Sequence, residues 1–297
     1  MRSPHLERAR LQGLQPVLQL RSRILAALRA WFLQEGFTEI ETPVRLPTPA
    51  LELHIDAEPS GNAFLRTSPE LHMKRLLAAG YDRIFQIGPC FRKGERGNRH
   101  NPEYTMLEWY RANADYTDIM ADVESLLRHF EIFTLKSEIP RLTVEDLFLK
   151  HAGWNPVEAY DAERFERDLV SKVEPALPRD TPVFVMDYPA PAAALSRRKP
   201  DRDAVAERFE LYINGVEIAN AFSELTDPVE QRQRFETWAR ERKALGAPVY
   251  PLDEDFLAAL EIGMPPSGGI ALGIDRLIMV LAGAKSLDEV MAFRERD

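Results

Sequence analysis

The chain has 297 residues, of which 45% are hydrophobic and 29% charged, with a net charge of −9 and one cysteine, Cys90. That is ample for a sizeable core, and it excludes an intramolecular disulfide. The acidic balance argues against a non-specific grip on nucleic acid. No apolar run approaches the roughly 18 residues of a membrane span, and the N-terminal stretch lacks the apolar core of a secretory signal. These totals predict a cytoplasmic protein.

In chain order, Ile24, Leu25, Leu28, Trp31 and Phe32 fall at helical spacing between Pro16 and Gly36, where glycine ends the helix. "FTEIETPV" reads as a strand broken at Pro43, and Thr67 to Gly80 as a helix opened by Ser68-Pro69-Glu70. "RIFQIGPCFR" and Tyr104 to Tyr110 are strands around a loop from Lys93 to Pro102. Residues 112–135 and 143–171 look helical, "PVFVMDYPAP" is a short buried strand, and "PVEQRQRFETWARERKALG" is a helix. "GGIALGIDRLIMVLAG" is a glycine-rich strand turning into an apolar helix. Antiparallel strands with helices in separate blocks predict an α+β fold.

Asn214-Gly215 inside "RFELYINGVEIANAF" is a strong hairpin signal, because a type I′ turn needs positive φ at both central positions. It pairs Ile213 with Val216 and Tyr212 with Glu217. Leu211, Ile213, Val216 and Ile218 then face the core, and Glu210, Tyr212, Glu217 and Ala219 share the other face. Glu210 and Glu217 become diagonal neighbours, about 7–8 Å apart at the backbone. Either both are solvated acids, or a cation such as Mg²⁺ sits between them.

The strand after the loop puts Tyr104, Met106, Glu108 and Tyr110 on one face. An acid so flanked needs a partner, either a core cation or a ligand. Arg92, Arg96, Arg99 and His100 in and beside the loop are suited to phosphate, or are simply a solvated basic run. "GGIALGIDRL" has neither the spacing of a dinucleotide fingerprint nor a P-loop.

In this order, the segments resemble the catalytic core of class II aminoacyl-tRNA synthetases, most closely lysyl-tRNA synthetase. "GFTEIETPV" resembles motif 1, "FRKGERGNRHNPEYTMLEWY" motif 2, and "GIALGIDRL" motif 3 with its Arg276. The resemblance runs from about Leu18 to the end. It implies an antiparallel sheet flanked by helices, ATP and Mg²⁺ as cofactors, and a homodimer formed through motif 1.

Carried over to this chain, the resemblance gives Arg92 the α-phosphate, and Arg276 the adenine and γ-phosphate. Tyr104 takes the other face of adenine. Lys93, Gly94, Glu95, His100, Asn101, Ile218 and Gly273 line the nucleotide, and Glu210 and Glu217 hold Mg²⁺, with Glu217 also on the ATP side. Ser68, Pro69, Glu70, Glu108, Tyr110, Asn220, Glu224 and Ala271 surround a diamino acid. Within that set, Glu70 meets its backbone-type amine and Asn220 its carboxylate, while Glu108, Tyr110 and Glu224 ring the terminal ammonium.

There are three departures. Where motif 2 usually runs Arg-x-Glu, this chain has Gly94, and the acid follows at Glu95. Ala271 stands where lysyl-tRNA synthetase has glycine, which narrows the pocket. No oligonucleotide-binding barrel precedes the first helix, so the resemblance implies one catalytic domain over 1–297 without an anticodon-binding domain. That pattern is similar to the elongation factor P lysine ligases, which pass β-lysine from its adenylate to a lysine of elongation factor P. Two alternatives stay open: a stand-alone lysyl-tRNA synthetase-like enzyme charging tRNA, and a non-catalytic regulatory subunit. The acidic balance argues against tRNA as the partner. The candidate docking region is 110–205, including "YPAPAAALSRR" beside the expected site.

Overall fold

The computed structural model describes residues 4–130, 138–192 and 195–295. Two N-terminal helices, α1 (Pro4–Gly13) and α2 (Gln15–Gln34), lead in. In α2, Ile24, Leu28, Trp31 and Phe32 form the buried stripe, and Gly36 turns the chain away at φ 78°. Phe32 stacks on Phe85, with ring centroids 4.4 Å apart, and so seats the helix on the sheet.

The "FTEIETPV" strand is far shorter than its composition suggests. Only β1 (Thr38–Glu39) pairs, and Pro43 separates it from β2 (Arg45–Leu46). β2 joins a small separate sheet with β3 (Pro59–Ser60) and β4 (Ala63–Leu65). Helix α3 (Glu70–Ala78) and the long strands β5 (Arg83–Phe91) and β6 (Glu103–Ala112) follow as expected. Helix α4 (Tyr116–His129) has a capping box from Asp115 and Asp118; the expected helix over 112–135 otherwise runs partly into residues outside the described set.

The helical reading of 143–171 is corrected. Strand β7 (Arg141–Thr143) and helix α5 (Val144–His151) end at Gly153, which has φ 76°. Helix α6 (Ala162–Asp168) begins only after a loop, capped by Asp161.

Strand β8 (Val183–Pro189), the two-residue β9 (Arg198–Lys199), and the hairpin of β10 (Arg202–Ile213) and β11 (Val216–Ser223) come next. They precede α7 (Pro228–Ala244), α8 (Glu254–Ile262), β12 (Ser267–Gly273) and α9 (Ile274–Leu281). Neither α1 nor α8 was expected.

Among the described residues the main sheet has nine strands in the order β1-β5-β6-β12-β11-β10-β8-β7, with β9 on β10. The central strands are antiparallel, and only the outermost pairs, β1 with β5 and β7 with β8, are parallel. One face of the sheet packs on α2, α4 and α9 around Trp109, Leu107, Ile270 and Leu272. The α+β class is therefore as expected. The other face carries the candidate site.

Candidate active site

The hairpin turn has the predicted pairing, Ile213 with Val216 and Tyr212 with Glu217, and Asn214 and Gly215 have φ of 54° and 68°. A bulge follows. Leu211 pairs with Ala219, and Glu210 with Asn220, so Ile218 is the extra residue. Ala219 therefore turns into the core with Leu211, not to the face of Glu210 as a straight alternation requires. The same shift sets Asn220 opposite Glu210.

In register across the sheet, Asn220 lies beside Ala271, and Ala271 beside Glu108. Three adjacent strands thus bring three of the sequence-predicted residues into one row.

A cavity of about 970 Å³ opens over this row. Its walls include Arg92, Gly94, Glu95, His100, Asn101, Tyr104, Glu210, Glu217, Ile218, Asn220, Ala271, Gly273 and Arg276. Lys93 is exposed outside the lining. The guanidinium of Arg92 lies over the ring of Tyr104 at 5.3 Å and near Glu95 at 3.5 Å. Its buried Nε has no hydrogen-bond partner among the described residues, a donor left for a ligand oxygen. Glu95 thus reaches the site despite the shifted motif.

Arg276 Nη1 donates to the carboxylate of Glu217 at 3.2 Å and to its carbonyl at 3.1 Å, and Nη2 meets His100 Nε2 at 2.6 Å. Burial and the Arg276 charge lower the His100 pKa, keeping that imidazole neutral and able to accept. Asp275 anchors the start of α9 by accepting from the Thr105 amide at 2.7 Å, which ties motif 3 to the motif 2 strand.

Glu210 is not a solvated acid. It is 6% exposed and accepts from Arg208 at 2.7 Å and from the Tyr212 hydroxyl at 2.8 Å. Burial and then the neighbouring charge of Glu217 raise its pKa, although Arg208 opposes them. This is the repulsion expected of two carboxylates that share a site suited to a cation. Arg208 also donates to Asn220 Oδ1 at 3.0 Å, which leaves the Asn220 amide N–H₂ to donate into the cavity.

Behind the cavity lies a buried acidic cluster. Glu108, 1% exposed, accepts from Ser68 at 2.9 Å and Tyr110 at 2.6 Å. Its closest partners are hydroxyls, so the core-cation reading of Glu108 is not what the fold uses. Pro69 precedes α3, and the Ser68 hydroxyl accepts the Glu70 amide at 2.9 Å, presenting Glu70 at the helix start. Lys74, one turn on, donates to Glu70 at 2.5 Å and ion-pairs with Glu224. Glu224 Oε1 has no hydrogen-bond partner among the described residues.

Burial, then the charge of Glu70, pushes Glu108 up to about 8. Glu224 is pushed to about 8 chiefly by burial, with Lys74 opposing. Carboxyls held neutral near physiological pH in an enclosed site regain their charge when a cation arrives.

Lys74 and Arg208 were missed in the sequence, although both had a signal. Lys74 stands four residues after Glu70 on one helix, and Arg208 two residues before Glu210 on one strand face. Gly269 was also missed. A Cβ there would overlap Glu224 Oε1 and the Tyr110 ring, so only glycine lets the strand approach them. The candidate docking segment reaches the rim at Pro191 and Ala192, while residues 193 and 194 lie outside the described set.

A family model described as "tRNA synthetases class II (D, K and N)" matches residues 1–296. Three relatives carry the name elongation factor P–(R)-β-lysine ligase. The protein of Hamiltonella defensa is 40% identical over 97% of this chain and 98% of its own length. That of Photorhabdus laumondii is 40% identical over 92% and 93%, and that of Yersinia enterocolitica 39% over 97% and 98%.

Proposed function

Since the chain belongs to the class II tRNA synthetases of the D, K and N group, we propose that it is an ATP-dependent ligase that activates (R)-β-lysine and passes it to elongation factor P. The observation that carries this reading is the two-ended site. Arg92 and Arg276 line the cavity, and the Glu70, Glu108 and Glu224 cluster lies behind its wall, one strand from Ala271 in register. A triphosphate and a diamino acid fit such ends. The names of the three relatives supply the acceptor and the β-amino acid.

Chemistry follows from the placement. Asn220 holds the substrate carboxylate beside Arg92, so that one oxygen attacks the α-phosphorus in line and pyrophosphate leaves. Arg92 and Arg276 stabilise charge on the phosphoryl oxygens as it builds, and no protein nucleophile takes part. An ε-amine of the acceptor then attacks the carbonyl of the adenylate and AMP departs, forming an amide.

Glu210 and Glu217 are the residues that would hold Mg²⁺. The two carboxylates fit such an ion because burial and then the charge of Glu217 raise the Glu210 pKa, and a cation between them would relieve that repulsion. When bound, the ion would neutralise phosphate charge.

A homodimer through the motif 1 segment is part of this proposal; among the described residues β1 there ends the main sheet with one side unpaired. So is a cytoplasmic location. No helix among the described residues is long and apolar enough to cross a membrane, and the only cysteine, Cys90, is buried with its thiol pushed up to about 12. One catalytic unit over 1–297 completes the reading.

The test is the intact mass of elongation factor P after incubation with this protein, ATP, Mg²⁺ and either β-lysine or α-lysine. A single lysyl addition, larger with β-lysine, is expected. No addition, with charging of tRNA in a parallel reaction, would overturn the acceptor.

A further inference from the structure

Glu52 lies on the segment between β2 and β3, and none of the roles above uses it. The segment is irregular but firmly held. The buried guanidinium of Arg242 on α7 donates Nη1 to the carbonyls of Glu52, Leu53 and Ile55 at 2.8, 3.0 and 3.1 Å, and Nη2 pairs with Asp56. From the other side, the Lys93 amide donates to the Asp56 carbonyl at 2.8 Å, joining the segment to motif 2. Six residues lie between Glu52 and Pro59, yet these clamps hold the Glu52 side chain on the cavity wall with Arg92 and Arg208.

The charges that act on it are Arg92, Glu70, Glu95 and Arg208. They are the α-phosphate residue, the amine residue, the motif 2 acid and the residue that fixes Asn220. The bond between carbonyl and phosphate in an adenylate belongs among these groups. Glu52's carboxylate makes no hydrogen bond or ion pair among the described residues.

Charge matching leaves it spare. Glu70, Glu108 and Glu224 are three acids; once a bound diamino acid draws all three into their ionised form and Lys74 offsets one, two negative charges match its two ammonium groups. A third ammonium enters the reaction only with the acceptor. In water a lysine amine has a pKa of about 10.4 and cannot attack until it loses a proton.

Resting on the amide-forming reading above, we propose that Glu52 receives the acceptor's ε-ammonium and is the proton acceptor of the transfer step. One proton passes from nitrogen to the Glu52 carboxylate. The freed lone pair forms the C–N bond at the adenylate carbonyl. The C–O bond to the phosphate breaks, AMP leaves with that electron pair, and the second nitrogen proton goes to water. Burial, with Arg92 opposing, pushes the Glu52 pKa up to about 7, where a base is half ionised at neutral pH.

The experiment compares wild type with Glu52→Gln and Glu52→Asp in two assays from pH 6 to 9. One is ATP–pyrophosphate exchange with β-lysine. The other is single-turnover transfer from preformed adenylate to elongation factor P. Transfer in E52Q is expected to fall by about 100-fold, at least ten times more than exchange. Wild-type transfer rises with pH through about 7 and then levels; E52Q loses that rise and E52D recovers it.

Equal loss in both assays, with a raised KM for β-lysine, would overturn the proposal by making Glu52 an anchor for the substrate. Unchanged transfer in E52Q would overturn it outright. A wild type that exchanges pyrophosphate but never modifies elongation factor P would instead overturn the acceptor reading, and this role with it.

Discussion

Lys74 on α3 and Glu224 just past the end of β11 form an ion pair in which both side chains are 0% exposed. Lys74 also reaches Glu70, so one ammonium bridges two acids that the resemblance assigns to substrate. Burial works against its charge, yet Glu224 and Glu70 together raise its pKa. Lysine thus holds the acids in place while leaving Glu224 Oε1 open.

Lys74→Met keeps the length and removes the charge. Breaking a buried pair from one side costs about 3–5 kcal/mol. That loss is expected in full above pH 8, where Glu224 ionises, and is smaller near pH 6, where it is protonated. Urea unfolding at the two pH values measures it. Equal stability of variant and wild type at pH 9 would mean that Lys74 does not carry the acids.

Proton release on substrate binding is the second expectation. Glu108 and Glu224, lifted from 4.5 to about 8, bind protons in the folded state that the unfolded chain has already lost. Stability of the empty protein therefore falls as pH rises from about 5 to 8. A diamino acid selects the ionised carboxyls, so its affinity strengthens over the same range. Calorimetry in buffers of different ionisation heat at pH 7 counts the protons. A heat of binding independent of buffer would contradict neutral acids in the empty site.

What was legible in the sequence had local chemistry behind it. The Asn214-Gly215 turn dictated its own pairing, and alternation placed Glu108 and Tyr110 on one face. The bulge at Ile218 left no mark, because an extra residue disturbs no composition and no periodicity beyond one step. Nor did Glu52 show itself, since its place depends on Arg242, 190 positions away, gripping an aperiodic loop. Lys74 and Arg208 were readable in principle from spacing. Their partners are acids that suit a ligand equally well, since a buried acid serves both a cation of the fold and a cation of the substrate.

Ala271 sits between Asn220 and Glu108 in the strand register, on the cavity wall. Its methyl lies between the Asn220 amide and Glu108, the groups proposed to meet the substrate's carboxylate and its ammonium. Ala271→Gly is expected to shift use toward α-lysine by about 10-fold relative to β-lysine, the worth of roughly one methyl group in a pocket. Exchange rates with both amino acids measure it. An unmoved ratio would show that substrate shape is read elsewhere.

Gly269, two residues earlier on the same strand, pairs with Tyr110 on β6 and Phe222 on β11. Gly269→Ala would press its methyl against Glu224 and the Tyr110 ring, so that at least one of them must shift and strain its tie to Lys74 or to Glu108. The expected result is a KM for β-lysine raised at least 10-fold, with the KM for ATP within about twofold, because the nucleotide end lies across the cavity. Parallel rises in both constants would point to a general collapse of the sheet instead.

Arg276 is the residue whose removal separates fold from activity most cleanly. Its side chain is 21% exposed, and it meets Glu217, His100 and the Arg99 carbonyl, all at the cavity rim. None of these contacts belongs to a packed core, so Arg276→Ala leaves the unfolding midpoint nearly unchanged. On the proposed reading it removes a cation that stabilises charge building on the phosphoryl oxygens, an interaction whose loss costs about 10²–10³ in rate. Pyrophosphate exchange is therefore expected to drop by that factor at saturating ATP, while Glu217 and His100 lose a shared donor. His100, relieved of the neighbouring positive charge, then regains part of its ordinary pKa. An NMR titration of its ring would register the upward shift independently of turnover. Wild-type exchange in R276A would sink the nucleotide assignment, and an unmoved His100 would break the link between the two side chains.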